Sequence, residues 1–98
     1  MLTHQSPSLR LSLAPHLGAG IADFSLKGPG GYFFPLMRRA APEEPNASLL
    51  ASFFMAPWVN RIRAGKFHFA GRDYSIKTNT PDHMAQHGDV RKRPWRTT

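Results

Sequence analysis

Cysteine is absent from the 98-residue chain, which excludes disulfides, thiolate metal sites and a cysteine nucleophile. Nor does any run approach the ~18 consecutive apolar residues that a membrane-crossing helix needs. Acidic side chains are scarce, six Asp and Glu against 13 Lys and Arg, for a formal net charge of +7. The opening Met1-Leu2-Thr3-His4-Gln5 has neither the basic region nor the apolar core of a secretion signal. Together these gaps predict a soluble cytoplasmic protein. There is no internal repeat, and only one short segment offers a helix. Gly and Pro are plentiful, eight and nine residues, and seven Phe contribute to a 41% hydrophobic content too high for a disordered tail. Such a composition suits short strands joined by turns.

Alternation of apolar and polar residues places the strands. Leu9-Arg10-Leu11-Ser12-Leu13 alternates and is stopped by Ala14-Pro15. A second strand runs from Ile21 to Lys27, with Ala22, Phe24 and Leu26 on one face and Asp23, Ser25 and Lys27 on the other. Gly28-Pro29-Gly30-Gly31 is a hairpin turn; as a phosphate cradle it would lack the Pro29 N–H and the GK[ST] helix that follows such loops. Tyr32 to Met37 is a short apolar run whose Pro35 marks a sheet edge, and Arg38 to Ala47 reads as an exposed loop. The helix candidate is Ser48 to Met55, capped by Asn46 or Ser48 and ended by Pro57. Two tandem hairpins then follow. Val59–Arg63 turns at Ala64-Gly65 into Lys66–Phe69, which turns at Ala70-Gly71-Arg72 into Asp73–Lys77, with Gly supplying the positive φ of tight turns. Phe67, Phe69, Tyr74 and Ile76 are expected to share one buried face. From Thr78 to His87 the pattern lapses into a loop. The chain is predicted to be all-β, built from antiparallel hairpins with strand edges left open.

The positive charge is concentrated late in the chain. Residues 61–98 hold nine basic residues against three acidic ones, a balance of +6, and the densest run is Arg91-Lys92-Arg93-Pro94-Trp95-Arg96. Such a run could neutralise phosphates while Trp95 stacks on a base, or it could be a solvated strand end; the second reading is preferred, with no nucleic acid and no membrane among the partners. Asn46-Ala47-Ser48 fits a glycosylation sequon by chance. His83 and His87, four residues apart, would share a metal only on a helix, and Pro81 and Gly88 argue against one there. Asn60, Arg61 and His87 stand at element ends. Arg presents a planar fork of donors, Asn donates and accepts at once, and His can exchange a proton or hold a hydroxyl. If they converged on one β surface they would suit a sugar, although a charged strand face would look similar.

Taken in order, these pieces resemble the aldose 1-epimerase (galactose mutarotase) family. The resemblance rests on Pro57-Trp58-Val59-Asn60-Arg61-Ile62-Arg63-Ala64-Gly65-Lys66-Phe67-His68-Phe69-Ala70-Gly71-Arg72-Asp73-Tyr74. After Asn79 and Pro81 come His87-Gly88 and Arg93-Pro94-Trp95. Leu11-Ser12-Leu13-Ala14-Pro15 through Gly20-Ile21 is similar to the family's opening hairpin. Gln86 and Asp89, on either side of His87-Gly88, depart from the commonest pattern, and the continuation to Trp95 looks like a bacterial mutarotase-like subgroup.

The resemblance implies a galactose mutarotase-like β-sandwich, of which residues 1–98 are the incomplete N-terminal part of one domain. It also implies interconversion of the α and β anomers of an aldohexose by general acid–base ring opening, with no metal or cofactor. Arg61 matches the family's substrate-binding arginine, with Asn60 its neighbour in the same motif. His87 matches the first active-site histidine, which binds and helps polarise the sugar, and so stands as both a catalytic and a substrate-binding residue. The second histidine, the sugar-binding aspartate and the catalytic glutamate belong further along the family's sequence. Glu43 and Glu44 precede the Asn-Arg-Ile motif and cannot replace them. The 98 residues alone are therefore expected to be inactive and to lack the C-terminal portion of their own domain.

Overall fold

A computed structural model describes all 98 residues. The chain is all-β, with eight short strands laddered antiparallel, and helical structure confined to single 3₁₀ turns. No helix is long and apolar enough to cross a membrane. Two compact units are distinguished, one formed by residues 1–54 and 91–98 and the other by residues 55–90.

The first unit is a four-stranded sheet in the order β1 (Leu2–Gln5), β2 (Leu9–Ala14), β3 (Gly20–Lys27), β4 (Phe33–Pro35). β2 and β3 lie where the alternation puts them, with a bulge between Ser12 and Leu13. β1 has no comparable alternation and is recruited by pairing with β2. Gly28 to Gly31 forms the turn into β4, closed by the Gly28 N–H donating to the Tyr32 carbonyl at 2.9 Å. Beyond β4 the main chain continues along β3, as the Leu36 and Ala40 N–H groups donate to the carbonyls of Phe24 and Ala22 (2.8 Å each). The core is small, made of Ala14, Ala22 and Leu50 with Leu17 and Ala40 against them.

One expectation fails in this unit, for a visible reason. The helix at Ser48–Met55 is reduced to one 3₁₀ turn, Ala47–Leu49, whose Ser48 N–H is capped by the Asn46 side chain at 3.0 Å. The chain extends beyond it because Ala51 and Ser52 exchange main-chain hydrogen bonds with Ile21. The polar side of β3 is covered at two positions. Asp23 is 8% exposed and Ser25 fully buried, whereas Leu26 on the opposite side is 42% exposed. Two arginines from outside β3 close over the polar side. Arg10 Nε donates to Asp23 Oδ2 at 2.9 Å, and Arg39 Nε to Oδ1 at 3.1 Å. Arg39 also donates to the Ser25 hydroxyl, which in turn donates to Asp23. The Arg10 guanidinium lies 4.8 Å over the Phe33 ring.

Residues 91–98 return to the same unit. The Gly18 N–H donates to the Arg93 carbonyl at 2.9 Å and the Trp95 N–H to the Pro15 carbonyl at 2.7 Å. Arg91 is buried with its guanidinium 5.3 Å over the Phe53 ring, and Trp95 stacks on Phe54 with centroids 5.3 Å apart. The two most distinctive residues of the basic run are thus part of the packing.

In the second unit β6 (Lys66–Phe69) and β7 (Arg72–Ser75) form the expected hairpin, with a turn of only Ala70-Gly71 because Arg72 already pairs with Phe69. Phe67 and Tyr74 lie opposite one another and stack at 5.0 Å, but the shared face is not buried. Phe69 is 68% exposed, and Phe67 and Tyr74 remain exposed beside it. A two-stranded sheet has no second layer of its own to cover that face. The preceding hairpin is also corrected. β5 (Arg61–Arg63) does not ladder with β6; it pairs with β8 (Met84–Gln86), inside the stretch expected to be loop.

Candidate functional site

Side chains acting as a substitute strand create β8. Asn79 Nδ2 donates to the Gln86 carbonyl at 2.9 Å while Asn79 Oδ1 accepts from the Gln86 N–H at 2.7 Å. One turn further in, the Thr80 hydroxyl accepts from the Met84 N–H at 2.9 Å. The segment is thereby held extended against β5, in the register Arg61 to Gln86, Ile62 to Ala85 and Arg63 to Met84. Trp58 secures the same strand at its middle residue, its Nε1–H donating to the Ala85 carbonyl at 3.1 Å.

This register brings Asn60 and His87, one residue beyond each strand, face to face. The His87 N–H donates to the Asn60 carbonyl at 2.9 Å, and the Asn60 N–H donates to His87 Nδ1 at 3.0 Å. Both residues have left-handed backbones, φ +67° at Asn60 and +61° at His87. Asn tolerates that region better than most residues; His87 is held there by its paired bonds. Gly88 follows with φ +65°, packed so closely on the Ala56 main chain that a Cβ would overlap the Ala56 carbonyl. That carbonyl also accepts from the Asp89 N–H at 2.9 Å. The His-Gly pair therefore has a local cause: only glycine fits after this histidine.

Arg61 opens β5 next to Asn60 with an exposed side chain. It sits in the field of Asp82, whose carboxyl is held below the usual carboxylate range first by the Thr80 hydroxyl and, less strongly, by the Arg61 charge. Asn60 and His87 are thus paired on the second unit, and Arg61 is the next residue along the chain from Asn60. His83 and His87 flank a strand and not a helical turn, so the arrangement that would let them share a metal is not formed. Glu43 and Glu44 belong to the loop of the first unit, where Glu44 accepts from the Asn46 N–H at 2.9 Å. Trp58 and Asn79 also determine the site, through their bonds to β8. Their local signal is weak, since neither lies in an alternating stretch.

As chemistry, the group offers a guanidinium fork, a primary amide and an imidazole. That is a donor-rich set for a neutral, hydroxyl-bearing ligand.

Comparison with known proteins gives the class. The aldose 1-epimerase family model matches residues 2–98, so the chain belongs to the aldose 1-epimerase family, an isomerase family. Among solved structures, it is similar to a protein of Escherichia coli K12 assigned as an aldose 1-epimerase, with 27% sequence identity and a TM-score of 0.72. That alignment takes in 90% of this chain and 28% of the other, so the chain spans under a third of its structural relative. No curated protein matches.

Proposed function

We propose that residues 1–98 are the N-terminal part of a single mutarotase-like β-sandwich domain and supply one side of its sugar site. The substrate class is an aldohexose of the galactose or glucose type. Arg61 and Asn60 hold its hydroxyls, and His87 binds and polarises a sugar oxygen. The observation that carries this reading is the pair of hydrogen bonds joining Asn60 to His87 beside Arg61, in a chain of this family.

Anomer exchange requires a base to take the anomeric hydroxyl proton and an acid to protonate the ring oxygen, so that the ring opens and recloses on the other face. Asp82 is engaged by Thr80 and lies in the field of Arg61. The catalytic glutamate that the family resemblance implies belongs further along the sequence, so the 98 residues are expected to bind sugar weakly without turnover.

Titration of the chain with glucose and with galactose by NMR, alongside polarimetry of freshly dissolved α-anomers, tests the proposal. Expected are shifts at Asn60, Arg61 and His87 that Arg61→Ala and His87→Ala each abolish, and mutarotation at the uncatalysed rate. Catalysed mutarotation would overturn the inactive assignment. The absence of shifts at these three residues would overturn the sugar site.

A further inference from the structure

The Asn60–His87 pair constrains where the imidazole proton resides. A neutral imidazole carries one N–H, and the hydrogen bond made by one nitrogen decides which nitrogen keeps it. Here the Asn60 N–H points at His87 Nδ1 from 3.0 Å. A main-chain N–H can only donate, so Nδ1 must accept. The other tautomer would set two hydrogens against each other across that distance. The second bond of the pair, from the His87 N–H to the Asn60 carbonyl at 2.9 Å, fixes the two backbones against each other and so keeps the Asn60 N–H within reach of the ring. We infer that the main chain of Asn60 is a positioning element that locks His87 in its Nε2–H tautomer, so that His87 meets a substrate oxygen as a hydrogen-bond donor and does not take a proton from it.

Resting on the sugar reading for its last step, this inference divides the labour of the site. The histidine polarises an oxygen by donating to it. Proton abstraction belongs to some other group, since Nδ1 is occupied as an acceptor and Nε2 already holds the proton. It also gives the left-handed backbone of Asn60 a purpose. With φ at +67° the residue turns its N–H towards the ring, an orientation that β-branched residues strongly resist.

The test is tautomer assignment by long-range proton–nitrogen NMR on the intact chain with labelled histidine. The pH is set about two units above the ordinary histidine value of roughly 6.5, so that the rings are neutral. His4, His16, His68 and His83 serve as internal references. Expected for His87 is a protonated Nε2 and a bare Nδ1. Asn60→Gly keeps both the N–H and the backbone geometry and is expected to leave that pattern unchanged. Asn60→Val is expected to give mixed tautomers at His87 while the resonances of the β6–β7 hairpin stay in place. A protonated Nδ1 in the unsubstituted chain overturns the inference, whatever the variants do. So does an Asn60→Val chain that retains both its hairpin signals and a pure Nε2–H ring. If Asn60→Val fails to fold, the unsubstituted spectrum together with Asn60→Gly decides. Added glucose or galactose separates the two proposals. An Nε2–H ring that ignores both sugars upholds the lock and removes the sugar site, whereas sugar binding to an Nδ1–H ring does the reverse.

Discussion

Asp23 shows how one buried charge is made tolerable. Taking a carboxylate out of water is costly unless it is paired and hydrogen-bonded, and Asp23 has Arg10, Arg39 and Ser25 around it. Burial pushes its carboxyl towards higher pKa. The bonds from Ser25, Arg39 and Arg10 outweigh that push and hold it below the ordinary value of 3.8. A carboxyl whose folded pKa is depressed adds stability above its unfolded pKa, and loses it as pH falls through the folded one. The first unit should therefore weaken on acidification from about pH 4 downward, and Asp23→Asn should remove that part of the pH dependence. At neutral pH the same substitution should cost about 2 kcal/mol, the usual worth of hydrogen bonds to a charged group. Urea unfolding of both chains across acid pH checks both statements; an Asp23→Asn chain with unchanged stability and an unchanged acid limb would refute them. Reading the strand in isolation could not foresee this. Asp23 and Ser25 look like a solvent face until arginines distant in sequence are known to fold over them.

At the level of elements, what was legible followed the strength of local signals. β2, β3 and the β6–β7 hairpin announce themselves through alternation and glycine-bearing turns. β8 does not, because it is three residues long and owes its extension to the side chains of Asn79 and Thr80. Arg61 and His87 could be singled out through a family resemblance. That Asn60 bonds to the His87 ring depends on the β5–β8 register, which no local pattern encodes. The hairpin turn itself carries a correctable flaw. Ala70 and Gly71 both have positive φ, 48° and 75°, the geometry of a type I′ turn, for which Asn-Gly is the favoured pair. An alanine there bears a left-handed penalty of about 1 kcal/mol. Ala70→Asn is expected to stabilise the hairpin by about 0.5–1 kcal/mol, seen as slower amide exchange at Phe67 to Tyr74. Unchanged or faster exchange would show that the turn is not limiting.

For the whole molecule the notable quantity is uncovered apolar surface. Tyr32, Phe34 and Leu36 at the β4 edge and Phe67, Phe69 and Tyr74 on the hairpin are all exposed, and two-stranded sheets leave main-chain edges open to pairing. The 11.0 kDa chain is expected to elute above its monomer mass, increasingly so with concentration, and Phe69→Thr to shift it back towards the monomer. A concentration-independent monomer by light scattering would contradict this. The packing of residues 91–98 onto the first unit has a consequence for biosynthesis. Gly18 and Pro15 leave the ribosome long before their partners Arg93 and Trp95, and the whole of the second unit is translated in between. The first unit therefore cannot complete its fold as it emerges. It must wait, partly assembled, until residues 91–98 have emerged, whereas the second unit, continuous in sequence, is free to form first.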